Sequence, residues 1–226
     1  MTVEVAMLER LFSSAVAVTD IFGDVPEAHM YSSEAALVSK AVAARRLEFG
    51  TVRHCARQAL MERGFPAAAI LPGPEREPVW PPGAVGSLTH CPGYRAAAVA
   101  RQADVRSLGI DAEPHAPLPS GVLESIALGE ELLRIQHLDR DHRGIHWDRI
   151  MFSAKETVYK VWYPLSQERL TFDDASIVVR PDGTFSAELI NRSTTRVLHG
   201  KWLVDRHFIC TAIELPASPP QRRPRC

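Results

Sequence analysis

The stretch FSAKETVYKVWYPL, residues 152–165, decides how the second half of the chain folds. With the turn before it, its apolar residues recur every three to four positions, which predicts one buried stripe on an amphipathic helix. That stripe consists of Trp147, Ile150, Met151, Ala154, Val158, Val161, Trp162 and Leu165. Phe152 and Tyr159 lie off the stripe, so we expect a second surface to pack against the same helix.

The polar residues of this helix allow two interpretations. In the simpler one, Glu156 and Lys160 are an exposed i,i+4 ion pair that stabilises the helix by about 0.3–0.5 kcal/mol. In the other, the off-stripe aromatic residues mark a cleft, and an acidic residue in a cleft is a candidate catalytic group. The pattern alone does not choose between them.

Composition limits the classes of function. The chain has 226 residues, of which 46% are hydrophobic and 23% charged, and its formal net charge is −1. Bulk attraction to nucleic acid or to a membrane surface is therefore not expected, and any phosphate binding must come from local basic clusters. The four scattered cysteines form no zinc motif or disulfide framework. Without a signal-peptide pattern or an apolar run of membrane-spanning length, we expect a cytoplasmic protein.

Alternating helical and strand segments predict an α+β chain with two halves of similar size. Residues 34–63 are expected to form one long or two consecutive helices, and the proline-rich segment 71–83 an irregular connection. The turn residues Cys91, Pro92 and Gly93 predict a hairpin. A strand ending at Pro114, helices over 122–138 and from Trp147, and strands in 175–190 and 200–215 follow.

The motif GIDAE contains two candidate metal ligands. In a strand, Asp111 and Glu113 share one face and lie about 6.6 Å apart. Carboxylate oxygens repel each other unless a cation lies between them, and they suit Mg²⁺. The alternative is a solvated strand end.

A basic helix and a strand end supply candidate phosphate ligands. Arg45, Phe49 and Arg53 are spaced i, i+4, i+8, a row that suits a phosphate and a stacked base. An exposed basic face with Phe49 in the core is the alternative. Thr89 and His90, at the end of GSLTH, could also reach a phosphate, although a single histidine is more often structural.

Together and in this order, the motifs resemble the Sfp-type 4′-phosphopantetheinyl transferases, closest to their actinobacterial carrier-protein-activating members. The resemblance runs from Arg45 to Leu165. It rests on the stretches RRLEFGTVRHCAR, GSLTHCPGYRAAAVA, LGIDAEPHAPLP and HWDRIMFSAKETVYKVWYPL.

The resemblance implies a monomer of two similar α/β halves, related by a pseudo-twofold axis, with the active site in the cleft between them. We expect an N-terminal half at residues 1–112, a C-terminal half at 113–215 and a disordered tail at 216–226. The resemblance also implies a reaction: the chain transfers the 4′-phosphopantetheine arm of coenzyme A to a serine of apo acyl or peptidyl carrier proteins and releases adenosine 3′,5′-bisphosphate. A metal-dependent phosphohydrolase and a non-catalytic coenzyme A-binding protein are the alternatives, and the acidic trio favours catalysis.

The resemblance implies that Asp111, Glu113 and Glu156 bind Mg²⁺, for which Mn²⁺ could substitute. Glu156 would be either a metal ligand or the base that takes the serine proton. The resemblance also implies that Lys155 and Lys160 contact the cofactor phosphates, and it counts Lys155 as catalytic. Thr89 and His90 would bind the pyrophosphate. Arg45 and Arg53 would bind the 3′-phosphate. The family usually has a Gly-Lys-Pro element before the TH strand. Here GPEREP stands there, and Arg76 could replace the lysine from a shifted position.

Overall fold

Two antiparallel sheets and five α-helices make up the computed structural model, which describes residues 6–190 and 197–217. The strands are β1 (Val16–Phe22), β2 (Ala84–Cys91), β3 (Tyr94–Arg101), β4 (Val105–Pro114), β5 (Ala175–Val179), β6 (Thr184–Leu189), β7 (Val197–Asp205) and β8 (Phe208–Pro216). The helices are α1 (Ser32–Leu37), α2 (Ala43–Glu62), α3 (Val122–Ile126), α4 (Gly129–Asp141) and α5 (Trp147–Ser166). The α+β class is confirmed. From residue 218 onward, the predicted tail lies outside the described residues.

The first sheet has the strand order β1-β3-β2 and carries helix α2 on one face. The hairpin predicted around Pro92 and Gly93 joins β2 to β3. Small residues on β3, such as Ala97, allow α2 to pack its own Ala56 and Ala59 against the sheet. The helical segment predicted for 34–63 is divided into α1 and α2, one of the two expected arrangements.

The second sheet has the order β4-β8-β7-β6-β5 and carries helix α5. The predicted stripe of α5 is buried from Trp147 to Trp162, while Leu165 is half-buried. The off-stripe Phe152 packs on Phe172, with 6.1 Å between the ring centroids, so a second surface does lie against this helix. Two further helices, α3 and α4, occupy the region predicted for 122–138.

The two sheets meet at their edge strands β2 and β4 through side-chain hydroxyls. The backbone N–H of Ile110 donates to Ser87 Oγ at 3.2 Å, and that of Ala112 donates to Thr89 Oγ1 at 2.9 Å. Residue 112, where we expected the two halves to divide, lies inside β4, and β4 pairs with β8 along its length. The division itself stays a prediction.

Strand β4 and helix α5 come unusually close at Gly109. A Cβ at this position would lie 2.6 Å from the carbonyl oxygen of Thr157 and 2.7 Å from Cγ2 of Val161. Glycine therefore allows the acidic strand to lie directly against the KETVYK helix.

No helix within 6–190 and 197–217 has both the length and the apolar character that crossing a bilayer demands.

Candidate active site

Asp111 lies where the two sheets meet and is almost fully buried. Its Oδ1 accepts a hydrogen bond from Lys160 Nζ at 2.8 Å, and the hydroxyl of Thr89 lies 3.4 Å away. Its Oδ2 is buried, and no donor in the described part of the chain reaches it. Because a buried carboxylate oxygen without a partner is costly, Oδ2 of Asp111 is an acceptor that a further positively polarised group would stabilise.

Glu113, two residues further along β4, is half-buried and paired with Arg149. Arg149 donates to Glu113 Oε2 at 3.0 Å and also to the carbonyl oxygens of Ala116 and Pro117. Burial and the negative charge of Asp111 raise the pKa of Glu113, and this pair only partly opposes the shift. Sequence reasoning missed Arg149. The available signal was its position two helical turns before Glu156, which places both side chains on the same side of α5.

Glu156 is half-buried on α5. Burial raises its pKa, the nearby charge of Asp111 raises it further, and Lys160 opposes the shift. A carboxylate that is harder to ionise is a stronger proton acceptor, as a general base requires. Across residues 6–190 and 197–217, however, no three His, Cys, Asp or Glu side chains converge closely enough to hold a metal ion. The three carboxylates therefore interact electrostatically without forming a closed ligand set.

Lys160 is the cation at the centre of this region. Besides Asp111, its ammonium group contacts the carbonyl oxygen of Ile110 at 3.1 Å, and its charge acts on Glu113, Glu156 and His90. It bonds to β4 rather than to Glu156, so the interpretation of Glu156 and Lys160 as a simple exposed pair is wrong.

Arg45, Glu48 and His90 form a charged cluster at the start of α2. His90 Nδ1 lies 2.8 Å from Glu48 Oε1, and its Nε2 lies 3.2 Å from Arg45, which also pairs with Glu48. Desolvation lowers the pKa of His90 against the pull of Glu48, and the positive charges of Arg45 and Lys160 add to the lowering. Glu48 was not singled out from the sequence, although its i+3 spacing from Arg45 predicts the contact.

Arg53 stacks on Phe49, with its guanidinium carbon 3.4 Å from the ring centroid. Phe49 is buried, so it belongs both to the core and to the predicted row. The Nε of Arg53 is buried without an acceptor in the described residues. Burial lowers the pKa of Arg53 to about 10. A buried guanidinium N–H without an acceptor can donate to a bound anion such as a phosphate.

Lys155 lies apart from these groups although it precedes Glu156 in sequence. Its ammonium group contacts Glu131 at 2.9 Å, the carbonyl oxygen of Phe172 at 2.7 Å and that of Ala175 at 3.1 Å. Three acceptors within the C-terminal half thus use its three N–H donors. The predicted contact between Lys155 and a phosphate stays a prediction.

A cavity of about 390 Å³ opens beside Glu156, between α5 and the segment before β5. Its walls are mainly apolar and consist of Lys155, Glu156, Val158, Tyr159, Leu170, Thr171, Phe172 and Ala175. Glu156 and the partly exposed Tyr159 are among its polar lining residues.

The segment that stands in place of Gly-Lys-Pro forms a tight loop closed by a bridge between Pro72 and Pro78. Arg76 is exposed in this loop and adopts a left-handed backbone conformation with φ 68°. The neighbouring Glu75 pairs with Arg169 at 2.5 Å and links the loop to the C-terminal half. The contact between Arg76 and a cofactor phosphate stays a prediction.

Comparison with known proteins gives consistent matches along the chain. Residues 33–100 match the family model described as the 4′-phosphopantetheinyl transferase N-terminal domain, and residues 107–213 match that of the 4′-phosphopantetheinyl transferase superfamily.

Three curated relatives are similar over nearly their whole length. The 4′-phosphopantetheinyl transferase PptT of Mycobacterium tuberculosis is 45% identical, with 95% of this chain and 98% of that protein covered. The transferase Svp of Streptomyces mobaraensis is 44% identical, with coverage of 93% and 90%. The transferase Npt of Nocardia iowensis is 42% identical, with coverage of 92% and 99%.

Proposed function

The chain belongs to the 4′-phosphopantetheinyl transferase superfamily, and we propose that it transfers the 4′-phosphopantetheine arm of coenzyme A to a serine of apo carrier proteins. The second product is adenosine 3′,5′-bisphosphate. The substrates would be acyl and peptidyl carrier proteins and carrier domains of fatty acid, polyketide and nonribosomal peptide synthases. The observation that carries the proposal is the meeting of β2, β4 and α5, where Asp111, Glu156 and Lys160 lie beside a cluster of phosphate-binding residue types.

We infer that Mg²⁺ would be held by Asp111 and Glu113, with Mn²⁺ as a substitute. The donors are carboxylate oxygens, which hard divalent cations prefer, and Asp111 Oδ2 is a buried oxygen without a donor in the described residues. The raised pKa of Glu113 reflects burial and excess negative charge, which a cation would relieve. In the structure, Lys160 pairs with Oδ1 of Asp111 and Arg149 pairs with Glu113, and a bound metal would take over part of this neutralisation. When bound, the ion supplies neutralising charge to the pyrophosphate.

The basic groups would bind the phosphates of coenzyme A. Arg53 offers a buried Nε donor above Phe49, and the exposed Arg45 lies about two turns earlier in the same row of α2. This arrangement suits the 3′-phosphate and a stacked adenine. His90 and Thr89, at the end of β2, and Lys160 are the groups closest to the acidic centre, so we assign them to the pyrophosphate.

The cavity beside Glu156 would hold the pantetheine arm. The arm is long, mostly apolar and attached directly to the phosphate that is transferred. It therefore needs an apolar recess that begins at the reacting centre, and this cavity combines apolar walls with Glu156 at its edge. We leave Lys155 out of the phosphate ligands because protein acceptors already engage its ammonium group.

In the proposed reaction the serine hydroxyl of the carrier protein attacks the β-phosphorus of coenzyme A. Glu156 takes the proton from the serine oxygen as the new P–O bond forms. The bond between that phosphorus and the bridging oxygen breaks, and the electron pair leaves with adenosine 3′,5′-bisphosphate. Positioning and charge neutralisation by Lys160, His90 and Thr89 are what such a transfer needs from the protein.

The alternatives make different products. A phosphohydrolase would release pantetheine phosphate into water, and a coenzyme A-binding protein would leave its ligand intact. A phosphohydrolase could use the same carboxylates, and a binding protein would not need all of them. The relatives are named transferases, which favours transfer. The monomeric state, the cytoplasmic location and the absence of nucleic acid or membrane partners stay predictions.

Mass spectrometry of the carrier tests the proposal. The protein is incubated with coenzyme A, Mg²⁺ and an apo acyl carrier protein, and the carrier is weighed. We expect a mass gain of one phosphopantetheine, and none on a carrier whose acceptor serine is replaced by alanine. An unmodified carrier with hydrolysed coenzyme A would identify a phosphohydrolase, and an unmodified carrier with intact coenzyme A a binding protein.

A further inference from the structure

Glu131 is a fully buried carboxylate for which the proposed reaction has no direct use. It lies at the start of α4 and accepts hydrogen bonds from the backbone N–H groups of Leu128 and Ile177, both at 2.6 Å. Its third partner is Lys155, which also reaches the segment before β5. We call this set of contacts the Glu131–Lys155 latch.

The latch connects elements that enclose the cavity beside Glu156. Lys155 and Glu156 are adjacent on one wall of the cavity, while Phe172 and Ala175, whose carbonyl oxygens accept from Lys155, lie on the facing wall. Because Glu131 also bonds to Ile177 on β5, the facing wall is held from both ends. The contacts of Lys155 and Glu131 therefore tie the two walls to each other and to α4.

A similar arrangement occurs around helix α1. Glu34, also fully buried near the start of a short helix, bonds to Arg57 on the following long helix at 3.0 Å and to the backbone N–H of Ile70 at 2.9 Å. It also accepts from the backbone N–H of Tyr31, as Glu131 does from Leu128. The described residues thus contain a second buried carboxylate–cation latch of similar design, and its residues do not line the cavity.

We propose that Glu131 and Lys155 are positioning residues that fix the width of the cavity for the pantetheine arm, and that Lys155 does not bind the cofactor phosphates. This inference rests on the proposed function, because the cavity is assigned to the arm there. The physical basis is the cost of moving Lys155. If its ammonium group left its three protein acceptors to bind a ligand, the carboxylate of Glu131 would remain buried without its counter-charge.

Ligand binding to the double variant Glu131→Gln/Lys155→Met tests this role. Removing both charges avoids the unpaired buried charge that either single change would leave. Two ligands are titrated by calorimetry: coenzyme A, and adenosine 3′-phosphate 5′-diphosphate, which keeps all the phosphates and lacks the arm. We expect affinity for coenzyme A to fall roughly tenfold or more. Affinity for the arm-less nucleotide should stay close to that of the wild type.

The matched control is Glu34→Gln/Arg57→Met, which removes the other latch. This change could displace the nearby Arg53, which is assigned to the 3′-phosphate. Both ligands carry that phosphate, so the control should change both affinities by the same factor. Melting temperatures and circular dichroism of both variants report whether they remain folded. If the Glu131 variant does not fold, Lys155→Arg is titrated in its place. The larger guanidinium should change the spacing of the cavity walls, so affinity for coenzyme A should fall while affinity for the arm-less nucleotide stays at the wild-type value, and unchanged affinity for both ligands would contradict the inference.

Equal losses for the two ligands in the Glu131–Lys155 variant would mean that Lys155 binds phosphate, and no loss for either would mean that the latch serves stability alone. Both outcomes overturn the inference. In either case wild-type transfer to the carrier protein remains, whereas failure of the proposed function would appear as a wild-type protein that neither binds coenzyme A nor modifies a carrier.

Discussion

Lys160 and Asp111 join helix α5 to strand β4, with Nζ 2.8 Å from Oδ1, and leave the second carboxylate oxygen of Asp111 buried without a donor in the described residues. This contact brings the KETVYK and GIDAE motifs, about 50 residues apart in sequence, into one site. It also explains how a buried carboxylate is tolerated before a metal binds, because the lysine supplies the neutralising charge.

Asp111→Asn should abolish transfer while the protein stays folded. The amide keeps the size of the side chain but loses the charge that a divalent cation requires. Transfer to an apo carrier protein is measured with Mg²⁺, with Mn²⁺ and with EDTA. We expect Mn²⁺ to support the wild type and EDTA to stop it. Wild-type turnover by the variant, or full activity in EDTA, would exclude this metal assignment.

Glu156→Gln should reduce single-turnover transfer by about 10²-fold or more if the carboxylate takes the serine proton. The melting temperature should change little, because Lys160 pairs with Asp111 and an exposed pair would contribute only about 0.3–0.5 kcal/mol in any case. Coenzyme A should still bind. Normal turnover with lowered stability would remove Glu156 from the site.

Arg53→Ala, and likewise Arg45→Ala, should weaken binding of coenzyme A more than binding of dephospho-coenzyme A, which lacks the 3′-phosphate. A lost charge-assisted contact costs about 1.5–3 kcal/mol, which corresponds to roughly 10- to 150-fold in affinity. Arg46→Ala removes a charge from the same helix and serves as the control, with equal and small effects on both ligands. Equal losses in the Arg53 variant would mean that it does not read the 3′-phosphate.

Binding of coenzyme A should take up protons near pH 6.5, the ordinary pKa of histidine being about 6.5. Desolvation lowers the pKa of His90 in the free protein, and a bound phosphate would raise it by stabilising the imidazolium. Calorimetry in two buffers of different ionisation enthalpy measures this uptake. His90→Gln should remove most of it, and an unchanged uptake in that variant would assign the proton elsewhere.

The same lowered pKa has a consequence for stability. Because the unfolded chain binds the His90 proton more tightly, the contribution of neutral His90 is fully present above about pH 6.5 and is lost as the pH falls through the lower folded pKa. In His90→Gln, the free energy of unfolding should therefore fall less between pH 7 and pH 5 than in the wild type. Denaturant titrations at several pH values compare the two.

Gly109→Ala should lower both stability and transfer. The added Cβ would lie 2.6 Å from the carbonyl oxygen of Thr157, so β4 must move away from α5 and the contact between Asp111 and Lys160 must lengthen. Overpacking of this kind costs about 1–3 kcal/mol. Thermal denaturation and turnover are measured together, since an unchanged melting temperature would mean that the two elements are not held this closely.

The control for this change is Gly129→Ala. Gly129 begins α4, and an added Cβ there has no atom within 4 Å. Stability should stay level or rise by about 0.4–1 kcal/mol, because alanine restricts the unfolded chain. Turnover should equal that of the wild type.

The order of the elements and the family could be predicted from the sequence because their signals are local. The stripe from Trp147 to Trp162, the hairpin at Pro92–Gly93 and the GIDAE strand each follow from spacing within a few residues, and all three are present in the structure. Taken singly, the patterns around Asp111, Glu156 and Arg53 left a structural alternative open, and it was their combined order, through the resemblance to the family, that pointed to these groups.

Only the tertiary structure decided which partner each charged group meets. Lys155 and Lys160 belong to one motif, but five residues of helix turn them roughly 140° apart, so they face different neighbours. Lys155 meets the buried Glu131 of α4, while Lys160 meets Asp111 of β4. These partners lie 24 and 49 positions away in the chain, and no local pattern identifies them. The helix period sets the two directions, and long-range packing of α4 and β4 around α5 decides what lies in each.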